Sequence, residues 1–116
     1  EHKMFDMPDG DNALSVLSAN GAQPNAFTSS GMTAYFFDCT SGFEENLRML
    51  LKFVSTPYFT QETVDKEQGI IGQEICMVED NPGYVVYNRL MRMLYEFNPI
   101  RDQVAGSIGD NRRNAL

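Results

Sequence analysis

The spacing of apolar residues changes once along this chain, and the change sets what it can fold into. The segment Thr33-Ala34-Tyr35-Phe36-Phe37-Asp38-Cys39 is aromatic and alternating, and it follows Asn25-Ala26-Phe27-Thr28 and the turn residues Ser29-Ser30-Gly31. That pattern predicts a β-hairpin. From Ser41 onward the apolar residues recur at helical spacing instead. Phe43, Leu47, Leu50, Leu51 and Val54 mark a helix that begins at the capping box Ser41-Gly42-Phe43-Glu44 and stops before Thr56-Pro57.

The remaining segments are also helical. Thr60 opens a helix to about Glu79, and Asn81-Pro82 then supplies an N-cap and a first-turn proline for another helix to about Glu96. Past Phe97 the pattern fades into Asn98-Pro99 and a polar end. Ahead of the hairpin, Met7-Pro8-Asp9-Gly10 ends whatever helix Glu1 and His2 belong to. Asp11 or Asn12 caps a short helix through Val16 and Leu17, which stops at Asn20-Gly21.

With 116 residues the chain can bury one modest core, so it is one domain or part of one. The net charge of -7 argues against a nucleic-acid partner, which needs clustered Lys and Arg. No apolar run approaches the roughly 20 residues of a membrane span. The two cysteines, Cys39 and Cys76, form no CxxC pair and read as inert buried thiols, in keeping with a reducing compartment. The opening Glu1-His2-Lys3 lacks an initiator Met and the signature of a signal peptide, which reads as a segment of something longer.

The informative helix is the one that starts at Thr60. At about 100° per residue, Val64, Ile71, Ile75 and Val78 define one apolar stripe, and Glu67 and Glu74 lie inside it. These two carboxylates are two turns apart, about 10 Å along the axis. A carboxylate on an apolar face costs several kcal/mol unless it is paired, protonated or metal-bound. Two of them suggest a site, and the competing reading is a pair of glutamates that snorkel or bridge to a basic neighbour. His2 is the only histidine; beside Glu1 it offers a zinc ligand next to a possible general base.

Three stretches carry a resemblance to the pitrilysin/insulinase family of zinc peptidases. Glu1-His2-Lys3-Met4-Phe5 resembles the end of the family's inverted motif H-x-x-E-H, whose first His would stand three residues before Glu1, outside this chain. Asn20-Gly21-Ala22 with Asn25-Ala26-Phe27-Thr28-Ser29 is similar to the turn and N-A-x-T strand that line the family's substrate cleft. Glu67-Gln68-Gly69-Ile70-Ile71-Gly72-Gln73-Glu74-Ile75 resembles the family helix with two glutamates seven apart. The likeness is greatest to bacterial members akin to mitochondrial processing peptidase.

The resemblance implies an α/β fold of the α+β type, a mixed, mostly antiparallel sheet with packed helices, of which residues 1–116 would be part of the N-terminal catalytic domain. It implies one zinc ion as cofactor, with His2 and Glu74 as ligands, Glu1 as the base, and Glu67 as a carboxylate that supports catalysis without binding the metal. Asn25, Ala26, Phe27 and Thr28 would bind substrate as an edge strand to which an extended peptide adds. The implied activity is zinc-dependent cleavage of internal bonds in peptides or small proteins, in a bacterial cytoplasm; the alternative is a non-catalytic family subunit that pairs with an active partner. By itself the chain, short of one ligand, is expected to be inactive, to bind zinc weakly or not at all, and to self-associate through uncovered apolar faces.

Overall fold

The computed structural model describes residues 1–109. In chain order these form a 3-10 helix His2–Phe5, helix α1 (Ala13–Ala19), strands β1 (Ala22–Thr28) and β2 (Thr33–Cys39), helices α2 (Phe43–Ser55), α3 (Gln61–Glu79) and α4 (Pro82–Leu94), and a 3-10 helix Pro99–Arg101. The fold is α+β, as the resemblance implies. Two compact units are present: Glu1–Thr28 with Met32–Thr60, and Ser29–Gly31 with the residues from Gln61 on.

In the first unit β1 and β2 pair antiparallel, with Ala22 opposite Cys39, Ala26 opposite Tyr35 and Thr28 opposite Thr33. Strand β1 starts at Ala22, ahead of the expected Asn25, and runs through Pro24. A proline has no N–H for a ladder, which hides such a strand in the sequence, but an edge strand tolerates it. Alternation divides the hairpin into two faces. Ala22, Ala26, Tyr35, Phe37 and Cys39 pack on the core with Phe5, Met7, Ala13, Leu17 and Phe53. Asn25, Phe27 and Phe36 lie on the outer, exposed face, where the two phenylalanine rings meet at 6.3 Å.

Helix α1 begins where Asn12 caps it, its Oδ1 accepting from Leu14 N–H at 3.0 Å. Helix α2 departs from expectation at its start. Ser41 is not its cap; Gly42 is, in the left-handed conformation at φ 66° and without a side-chain cap of its own. A glycine adopts that conformation at little cost and lets the chain turn from β2 into α2 within a few residues. Of the expected stripe, Leu47, Leu50 and Val54 are half-buried, with Leu50 and Val54 packed on the core, but the stripe is not the most buried face. Asn46 and Phe53 are its buried residues, whereas Phe43 and Leu51 are exposed. Leu51 lies roughly 150° around the helix from both buried residues, so its apolar character misleads.

In the second unit α3 runs as the spacing predicts, starting one residue after Thr60. Asn81 caps α4 through its side chain, which accepts from Tyr84 N–H at 3.2 Å, with Pro82 in the first turn. Helix α4 ends at Leu94, short of Glu96. It buries none of its residues, and Val86, Leu90, Met93 and Leu94 are exposed. Cys76 is exposed rather than buried, because it sits one step around α3 from the fully buried Ile75; Cys39 is half-buried. No described helix is long and apolar enough to cross a membrane.

Candidate active site

Glu1 precedes the 3-10 helix His2–Phe5, and the segment after it is tied down locally. Lys3 pairs with the Asp6 carboxylate, Asn12 Nδ2 donates to Asp6 Oδ1 at 3.3 Å, and Met7 N–H donates to Asp11 C=O at 3.0 Å. Phe5 anchors this segment in the core, its ring 5.4 Å from those of both Tyr35 and Phe53.

Glu1 itself meets the hairpin. Its carboxylate accepts a hydrogen bond from the Thr28 hydroxyl. Its main-chain carbonyl accepts from the Tyr35 hydroxyl at 3.2 Å and from Met4 N–H at 3.1 Å. Burial, and after it the charge of Glu1, raises the Tyr35 phenol above its ordinary pKa. The first unit therefore brings together two residues that the sequence assigns separate roles, Glu1 and Thr28. Nothing in the sequence pattern marks Tyr35 as their companion except the alternation that puts it on the same hairpin face as Thr28.

The four residues expected to bind substrate all lie in β1. Ala26 and Thr28 share the face toward Tyr35, and Asn25 and Phe27 point the other way. The Asn25 side chain accepts from Ala26 N–H at 2.8 Å.

In the second unit the face of α3 predicted from the wheel is the one that is sheltered. Ile75 is fully buried, and Val64, Ile71, Val78, Glu67 and Glu74 are half-buried, while Asp65, Lys66 and Gln73 are exposed. An open groove on α3, lined by Gln68, Gly69, Gly72, Gln73 and Cys76, follows the other side of the helix and includes neither glutamate. His2 belongs to the first unit, and Glu67 and Glu74 to the second. Among the described residues no three His, Cys, Asp or Glu side chains are grouped to hold a metal ion. The donors that are present, an imidazole and carboxylates, are of the kind zinc takes.

Comparison with known proteins decides the family. The family model described as insulinase, peptidase family M16, matches residues 3–107. The chain belongs to the insulinase family. Among curated relatives, the zinc protease YmfH of Bacillus subtilis, named as uncharacterized, is 48% identical over 108 residues, which are 93% of this chain and 25% of that protein. A similarly named zinc protease of Streptomyces coelicolor is 28% identical over 112 residues, covering 93% of this chain and 24% of the relative. The crystal structure of an M16-like peptidase from Alicyclobacillus acidocaldarius superposes with a TM-score of 0.90 at 39% identity, over 97% of this chain and 26% of that one. The chain thus spans about a quarter of the length of these insulinase-family relatives.

Proposed function

We propose that this chain provides the general base and two metal ligands of a zinc endopeptidase that cuts internal bonds of extended peptides or small proteins. Glu1 is the base, His2 and Glu74 hold the metal, and Glu67 stabilises the site from the same face of α3. The observation that carries the reading is the pair of half-buried carboxylates on the apolar face of α3, in a family whose matched relatives are named zinc proteases. Zinc, when bound, supplies a Lewis acid that polarises the scissile carbonyl and acidifies the attacking water.

The chain's own residues do the rest. Glu1 takes the proton of the attacking water and passes it to the leaving amine. The exposed edge of β1 over Asn25, Ala26, Phe27 and Thr28 pairs with the substrate main chain, which favours extended peptides with little sequence preference. In the full-length protein the third ligand would be the His that the H-x-x-E-H motif places three residues before Glu1.

The experiment uses that full-length protein. Glu1→Gln abolishes peptide cleavage and leaves zinc bound, because the base does not ligate. Glu74→Gln loses most of the metal, whereas Glu67→Gln keeps it at about 10- to 100-fold lower affinity. Full activity in Glu1→Gln, or stoichiometric zinc in Glu74→Gln, refutes the assignment.

A further inference from the structure

The contacts around Glu1 extend this reading of its role. A carboxylate that takes a proton must present one oxygen to the water and keep the side chain from turning away. In this structure one oxygen, Oε2, is held by the Thr28 hydroxyl. The Glu1 carbonyl meanwhile accepts from both Tyr35 and Met4, so its two lone pairs are used and the main chain beneath the carboxylate is fixed.

The two hydroxyl donors are themselves held. Thr28 Oγ1 lies 3.1 Å from Thr33 Oγ1, its cross-strand partner. A hydroxyl has one proton to give, and Thr28 gives its own to Glu1; Thr33 must therefore be the donor in that pair. The Tyr35 ring stands edge-on to Phe5 at 5.4 Å and to Phe53 at 5.6 Å, with interplanar angles of 77° and 87°. Thr28, Thr33 and Tyr35 all belong to one face of the hairpin, so a single rigid element grips Glu1 at its side chain and at its main chain.

We infer that Thr28 and Tyr35 are positioning residues for the catalytic base, Thr28 orienting the Glu1 carboxylate and Tyr35 its backbone, with Thr33 orienting Thr28. Thr28 then acts on the chemical step through Glu1 in addition to lying in the substrate strand. This inference rests on Glu1 being the base, and the test separates the two.

In the full-length protein, Thr28→Val removes the hydroxyl and keeps the branched shape. Misplacing a catalytic group by about 1 Å costs up to roughly 100-fold, so kcat falls about 10- to 100-fold while KM and zinc content stay unchanged. Thr28→Ser, which retains the donor, recovers kcat to within about threefold of the parent, since the hydroxyl and not the methyl carries the effect. Tyr35→Phe lowers kcat by about threefold to tenfold at constant KM, with the Met4 N–H still on the carbonyl, and it keeps the inference testable should Thr28→Val fail to fold.

A rise in KM at constant kcat in Thr28→Val overturns the inference in favour of a substrate contact. So does a Ser variant as slow as the Val variant, or an unchanged kcat in Tyr35→Phe. If Glu1→Gln itself stays fully active, the base assignment fails; if it is inactive while Thr28→Val keeps its kcat, only the positioning fails.

Discussion

Replacing Asn46 by leucine is expected to make the protein more stable. Asn46 lies in α2 on the same face as Phe53, it is completely buried, and among the described residues neither its Nδ2 nor its Oδ1 has a hydrogen-bond partner. A buried amide without partners costs about 1–3 kcal/mol, because it has lost its water and gained nothing in return. Leucine has the same branching at Cγ, removes both polar atoms and improves helix propensity by a few tenths of a kcal/mol. The sum is a gain of about 1.5–3 kcal/mol, and with a urea m-value near 1–3 kcal/mol per molar the denaturation midpoint rises by about 1 M. Asn46→Asp should move it the other way by several kcal/mol, since it buries an unpaired charge. Urea titrations followed by circular dichroism, with m unchanged between variants, measure both shifts. If Asn46→Leu is no more stable than the parent, the amide is satisfied in solution by a buried water, and the reasoning fails.

Two further outcomes follow from the same unit. Gly42→Ala forces a side chain into the left-handed conformation at φ 66° and sets its Cβ 3.2 Å from the Glu45 carboxylate, so it should lower stability by about 1–2 kcal/mol in the same titration; an unchanged midpoint would contradict the cap assignment. Tyr35 has a raised pKa, chiefly from burial, so the folded state holds its phenolic proton more tightly than the unfolded chain does. That contribution is fully present below the unfolded tyrosine value of about 10 and is lost as pH rises through the folded one. The parent should therefore lose stability more steeply than Tyr35→Phe in denaturation series carried above pH 10, and parallel profiles would count against the burial of the phenol.

What the sequence makes legible is what depends on a fixed period. The stripe on α3 can be read because the glutamates are spaced by two helical turns, which any straight helix must align, and Asn81-Pro82 can be read because a cap acts only on its own helix. The start of β1 is hidden by Pro24, whose place in a strand depends on which edge of the sheet it occupies. Ser41 and Glu44 match a capping box in spacing, yet the chain leaving β2 needs the left-handed turn that only Gly42 supplies cheaply, so local pattern yields to backbone geometry. Leu51 is exposed and Asn46 buried because the face of α2 that turns inward is chosen by Phe5, Leu17 and Tyr35, which lie elsewhere in the chain.

The same distinction applies at Glu1. Its proposed role as base comes from the adjacent His2, but its partners cannot be read in the sequence, since Thr28 and Tyr35 stand 27 and 34 residues away and reach it only once the hairpin has closed. Closure puts Thr28 and Tyr35 on one face through the register that pairs Thr28 with Thr33 and Ala26 with Tyr35. A slip of one residue in that register would turn Thr28 or Tyr35 to the outer face and release Glu1 from one of its two donors. The Phe5, Tyr35 and Phe53 rings resist such a slip, because turning Tyr35 outward would break two edge-on aromatic contacts worth about 0.5–1.5 kcal/mol each in addition to the area they bury. The aromatic core of the first unit therefore does more than stabilise it: by fixing the register, it decides which hydroxyls face Glu1.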